Sequence, residues 1–325
     1  MRLQVNKTAL NGAILAVGIL APLLAGPTFK SFRIPTANSQ PREITLGSDG
    51  NMWFTESELN VSQIGRIDQQ GNITEFAVPT QFSQPSDIVA GADGALWFTE
   101  PSGFPFGIGR VTTNGVFTEY GLDLNTCNPC SVTPNGIAAT PDGNIWFTEF
   151  NRNAIGKLEP STGAFTFYNI PTPNATPSGI TLGPDGALWF AEFQGNQIGR
   201  INTAGNITEF STAIGPDRIT TGPDGNLWFT EPFNNKIGRI TLSGVITEFA
   251  LPASVQPRDI VAGSDGNLWF TEYNADQLAR ITTNGVITPV QKVRGGPWGI
   301  GAGLNNTIWL TQFDGNKISR YQVAP

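Results

Sequence analysis

Carboxylates at regular intervals are the first residues in this chain that could do chemistry. A Trp-Phe strand closes in Thr-Glu or a near relative at Glu56, Glu100, Glu149, Glu192, Glu231 and Glu272, and a seventh copy closes in Gln312. Eight to ten residues after each comes a base: Arg66, Arg110, Lys157, Arg200, Arg239, Arg280 and Arg320. Acid and base at that spacing could move protons, but a residue needed for one reaction rarely recurs in every copy of a repeat. The repetition instead assigns each Glu to the geometry of the unit, bonded to loop backbone or to a neighbouring base. Gln312 keeps an acceptor and a donor, which suits hydrogen bonding better than charge. The chain contains no histidine, which removes Ser-His-Asp and Cys-His arrangements, histidine zinc motifs and a histidine general base.

Positions where the repeat varies are better candidates. After the Pro of a recurring Pro-x-x-Ile phrase stand Arg42, Ser86, Asn135, Ser178, Asp217, Arg258 and Trp298. The next residues are Glu43, Asp87, Gly136, Gly179, Arg218, Asp259 and Gly299. Polar residues of mixed charge, unequal between copies, are what an asymmetric ligand site requires; the alternative is a solvated channel in which Arg and Asp neighbours pair. The expected site is Arg42, Glu43, Asp87, Asn135, Asp217, Arg218, Arg258, Asp259 and Trp298. Within it, Glu43, Asp87 and Asp259 offer the hard oxygen donors that Mg²⁺ or Ca²⁺ takes. Phe104, Phe106, Phe150, Phe193, Phe233, Tyr273 and Phe313 follow the Glu strand, where aromatics serve either a ligand rim or packing between units.

The elements that must position these residues follow from the period. Trp53, Trp97, Trp146, Trp189, Trp228, Trp269 and Trp309 open the recurrent strand at spacings of 44, 49, 43, 39, 41 and 40 residues, the range of four-stranded propeller blades. Each unit reads as a Pro-x-x-Ile strand, a turn with Asp-Gly, an "LWFTE" strand, a variable loop, an "IGRI" strand, an "NG"-like turn and a "VITEF" strand. Asp-Gly supplies the positive φ that tight hairpins need. The expectation is an all-β, seven-bladed propeller of antiparallel blades. The last copy stops after its third strand, while "TFKSFR" from Thr28 resembles a fourth strand. That N-terminal segment is therefore expected to complete the seventh blade and close the ring. Hairpin turns then lie on one face, and the longer loops, with the candidate site, on the other.

Residues 1–25 read as a signal peptide and 26–325 as the propeller domain: Arg2 and Lys7 precede an apolar run ending near Ala25. Without that leader, 17 basic residues face 26 acidic ones, a poor match to nucleic acid or an anionic membrane surface. No second run is long enough to span a bilayer. An exported monomer, periplasmic or secreted, is the expectation. Cys127 and Cys130 form a lone Cys-x-x-Cys. In an exported chain this is read as a local disulfide rather than a redox pair or half a metal site.

The seven "DGxLWFTE…NxIGRI…GxITEF" units resemble the virginiamycin B lyase (streptogramin B lyase) family over about Thr28 to Tyr321. That resemblance implies a seven-bladed propeller that opens a cyclic depsipeptide antibiotic at its ester by elimination, with Mg²⁺ at the top of the channel. The residues the family uses are replaced here. Trp298, in "GGPWGI", stands where the resemblance places the catalytic histidine, and Arg258 where it places a second one. Gly296 and Phe313 (or Gln312) stand where it places metal-binding glutamates. The resulting expectation is a binding module for a small molecule or a cell-envelope protein, without streptogramin lyase activity. The alternative is a metal-dependent lyase or lactonase/esterase-type enzyme with a rebuilt carboxylate site.

Overall fold

The computed structural model describes residues 28–103, 107–122, 132–212 and 214–324. The leader region, Phe104, Phe106, Cys127 and Cys130 lie outside them.

Alternation of apolar and small residues, broken by Gly turns, yields 28 strands among the described residues in seven four-stranded antiparallel sheets. Each sheet runs in chain order from innermost to outermost strand, as in Pro41–Leu46, Met52–Glu56, Gln63–Ile67 and Ile73–Ala77. The seventh is the exception. Its outer strand is Thr28–Arg33, paired antiparallel with Lys317–Gln322. The ring is closed by the N-terminal strand, as the strand count predicts, and the first innermost strand adjoins the last, Pro297–Gly303.

The core is a series of layers between blades. Every strand-opening tryptophan is 2% exposed or less. Trp53, for example, packs with Ile88, Leu96 and Phe98 of the following blade. At the closure Trp309 packs with Ile34, Ile44 and Phe54. A buried indole needs a partner for its N–H, and in five blades the turn aspartate supplies it, as Asp49 does for Trp53 at 3.1 Å and Asp224 for Trp228 at 3.0 Å, while Trp309 donates to Thr307 at 3.0 Å. The base of "IGR" covers the same indole, with the Arg239 guanidinium 5.6 Å from the Trp228 ring. Arg110 and Arg200 also pair with the turn aspartates Asp93 and Asp185, both at 2.7 Å. Glycine of that strand receives the Phe of its neighbour: a Cβ at Gly238 would lie 2.1 Å from the Phe229 ring.

Candidate functional site

Threonine of the Thr-Glu phrase fixes the site strands in place. Thr271 Oγ1 accepts from Asp259 N at 3.1 Å and donates to Trp298 O of the next blade at 2.6 Å. Thr55, Thr99, Thr148, Thr230 and Thr311 repeat this bridge, the last joining Gly299 N to Arg42 O across the closure. The fourth blade has Ala191, and there the Ser178 hydroxyl reaches Asp217 O at 2.8 Å instead. A belt of buried hydroxyls thus ties neighbouring innermost strands together where the variable residues project.

At the level of that belt three carboxyls surround one guanidinium. Arg218 Nη2 bonds Glu43 at 2.6 Å and Nη1 reaches Asp87 at 3.4 Å. Asp259 lies beside the Glu43 carboxyl and accepts the Ile260 and Ile300 amides at 2.8 Å each. Asp87 likewise accepts the Ile88 and Ile137 amides, at 2.8 and 3.1 Å. Burial raises Asp87 to about 6 against the pull of Arg218. Burial and then Glu43 hold Asp259 well above the usual carboxylate range. Burial disfavours charge on Arg218, but Glu43 and Asp87 outweigh it and its pKa is raised. These residues line a central cavity of about 280 Å³, together with the isoleucines of Pro-x-x-Ile.

A second tier pairs cations with aromatics. Arg258 bonds Asp217 at 3.1 Å and lies 3.8 Å from the Trp298 ring centroid. Phe313 stacks on Trp298 at 4.8 Å and Tyr273 meets it edge-on at 5.6 Å. Arg42 stands 5.8 Å from Trp298 and 6.0 Å from Phe313. Burial, then Arg258 and Arg218, lower its pKa. The Nε atoms of Arg42, Arg218 and Arg258 and the Trp298 indole nitrogen are buried without a partner. Asn135 contributes its backbone carbonyl, which accepts from Thr99 Oγ1 at 2.9 Å.

Of the expected residues, eight of the nine meet in these two tiers through their side chains; Asn135 is present through its backbone. Mixed-charge neighbours do pair, as the solvated-channel alternative holds, but not all of them: Arg42 has no carboxylate. The cation reading fits poorly. The Arg218 guanidinium already occupies the space between Glu43, Asp87 and Asp259, and among the described residues no group of three or more Asp, Glu, Cys or His is placed to hold a metal. The Mg²⁺ positions implied by resemblance fit no better. Phe313 is stacked, Gln312 Nε2 donates to Arg294 O at 3.1 Å, and a Cβ at Gly296 would lie 2.5 Å from Asp314.

The repeated glutamates differ from expectation in one respect. None of them meets the base of "IGR", whose partners are turn aspartates, indoles and, for Arg66, Arg239 and Arg320, a backbone carbonyl of the neighbouring blade. Glu149 does accept loop backbone, from Thr133 N. In four blades, however, a second glutamate from the outer strand lies beside it: Glu75 by Glu56, Glu119 by Glu100, Glu209 by Glu192 and Glu248 by Glu231, with Asn234 Nδ2 also donating to Glu231 at 3.2 Å. Burial, helped by that second carboxylate, raises Glu56, Glu100 and Glu192 to about 8 and Glu231 to about 7. Sequence reasoning missed these pairs, though the signal was there: the outer strand places its Glu in the same four units, as "ITEF" in three and "FTEY" in one. It also missed Asp314, which accepts from the Tyr273 hydroxyl at 2.8 Å.

A family model described as the Virginiamycin B lyase family matches residues 14–213 and 211–324. A streptogramin B lyase structure is 38% identical with a TM-score of 0.83, the match covering 91% of this chain and 97% of that one. Virginiamycin B lyase from Staphylococcus aureus is 39% identical at the same TM-score, covering 91% and 99%. A catalytically inactive histidine-to-alanine variant of that enzyme, solved with quinupristin, matches equally well. No curated protein matches the chain.

Proposed function

The chain belongs to the virginiamycin B lyase family, and from that premise we propose that it is an exported binding module that recognises a small molecule or cell-envelope protein on its top face without opening streptogramins. One observation carries the reading. The channel mouth is built around Trp298, held between Arg258 at 3.8 Å and Phe313 at 4.8 Å, in a chain that has no histidine. The related S. aureus enzyme is inactive once a single histidine becomes alanine. An indole has no basic nitrogen and cannot take a proton in its place. What the mouth offers instead is recognition chemistry: guanidinium donors, an indole N–H and flat apolar faces. Export rests on the leader read from the sequence.

Two assays test this. Quinupristin incubated with the protein should remain cyclic by mass spectrometry; a linear product lost on mutating Trp298 or Arg258 would overturn the reading. A thermal-shift screen of small molecules should return ligands whose effect disappears in Trp298→Ala, and a screen without any such ligand would count against a binding role.

A second reading, an ester-cleaving enzyme using Glu43, Asp87 and Asp259, is favoured by their convergence and by the burial that raises the Asp87 carboxyl above the usual carboxylate range, the direction proton transfer at neutral pH requires. It requires Arg218 to withdraw. Titration calorimetry with Mg²⁺ and Ca²⁺ decides it, and absence of heat removes the metal-dependent form.

A further inference from the structure

We propose that the channel mouth is an anion site, and that it takes the carboxylate of a small aromatic acid between Arg42, Arg258 and the indole N–H of Trp298. The inference rests on the binding reading and adds the class of ligand.

It begins with a count of partners. Every carboxylate around the mouth is already engaged: Asp217 by Arg258 at 3.1 Å, Glu43 and Asp87 by Arg218 at 2.6 and 3.4 Å. Asp259 is held by two backbone amides at 2.8 Å, and Asp314 by the Tyr273 hydroxyl at 2.8 Å. Arg42 is left with aromatic neighbours and no acceptor. Its Nε, the Nε of Arg258 and the indole nitrogen of Trp298 are buried donors without partners. Buried donors are normally satisfied, and each orphan is a loss that a ligand can recover. All three belong to one cluster, since both guanidiniums lie against the Trp298 ring.

Charge selects the ligand's sign. Arg42 and Arg258 repel one another and Arg218 adds to the repulsion, which Glu43 offsets only in part, so an anion beside Arg42 and Arg258 relieves the strain. Shape favours a carboxylate, because two planar guanidinium forks present parallel N–H bonds to two oxygens. The body of the ligand follows from what surrounds the donors. Phe313 and Tyr273 flank Trp298, both only partly buried. The corresponding loops of the two preceding blades carry Phe193 and, one residue further on, Phe233, in edge contact at 5.5 Å, with Phe233 68% exposed. An apolar arc therefore runs beside the donors along the top of the last four blades, and a flat ring suits it.

The test follows the side-chain Nε–H signals of Arg42 and Arg258 and the Trp298 indole signal by ¹⁵N NMR during titration with phenylacetate, phenylacetamide and inorganic phosphate at low ionic strength. Phenylacetate should move all three saturably and bind about tenfold more tightly than its neutral amide, the difference a charge-assisted pair contributes. Arg42→Gln should abolish that preference and Arg42→Lys should keep part of it, a rescue that loss of packing alone does not produce. Equal shifts with acid and amide overturn the anion site while leaving a binding face. Phosphate binding as tightly as phenylacetate overturns the aromatic-acid assignment. Three unmoved signals overturn the proposal as a whole. Failure of the binding reading is scored separately, by the thermal-shift screen.

Discussion

A carboxyl buried at the end of an apolar strand is costly to ionise, and in four blades burial beside a second carboxyl favours the protonated form. Glu56, Glu100, Glu192 and Glu231 each face a second glutamate and are raised to about 7–8. Where the outer strand lacks that glutamate the inner position changes its bonding. Glu149 accepts a backbone amide, and Gln312, the uncharged counterpart of a protonated Glu, sits in a blade whose outer strand carries Ser31. The sign of the linkage follows. The folded pKa lies above the unfolded one, so the stability these groups confer is complete below about pH 4.5 and is lost as pH rises through about 8. Urea unfolding should accordingly show Glu56→Gln more stable than the parent by about 1–3 kcal/mol at pH 8.5, with little difference at pH 5. An equal difference at both pH values would show that Glu56 does not hold a proton in the folded state.

Among the elements, the innermost strand and the Thr of the next strand form one device. The hydroxyl joins two blades and sets the height at which Glu43, Asp87, Arg218 and Asp259 emerge. Asparagine before the third strand does the same for the crossing loops: Asn316, at a φ of 52°, donates to Thr36 O at 2.8 Å and accepts from Ser39 N at 2.7 Å. Thr271→Val keeps the shape and removes both bonds. It should cost about 1–3 kcal/mol of stability and, by loosening Trp298 and Asp259, weaken top-face ligands more than Thr148→Val, whose hydroxyl bonds Gly136 N and Ser178 O instead. Equal effects of the two on ligand binding would count against the local role.

For the whole molecule the decisive contact is the closure. Thr28–Arg33 covers the last blade, and Phe32 stacks near Trp309 at 6.1 Å. Closure also brings Arg42 of the first blade to Trp298 of the last, so ring and site depend on the same seam. Deleting residues 28–35 should lower the melting temperature by on the order of 10 °C by exposing a long edge, and unchanged melting would refute the closure.

The sequence by itself determined the blade count, the strand order, the closing strand and the ring of variable positions at the channel mouth. Each of these follows from local period and turn chemistry repeated seven times, and repetition makes weak signals strong. Export and the Cys127–Cys130 disulfide are expectations from the sequence alone, and the residues they rest on lie outside the described ones. Only the tertiary structure decided which charges pair. Arg218 sits among Glu43, Asp87 and Asp259, Arg42 is left beside Trp298, and inner glutamates meet outer ones rather than the "IGR" bases. The physical reason is distance. Partners such as Arg218 and Glu43, or Arg42 and Trp298, lie far apart in the chain and meet only because the ring closes, and no local pattern records which blade faces which across a channel.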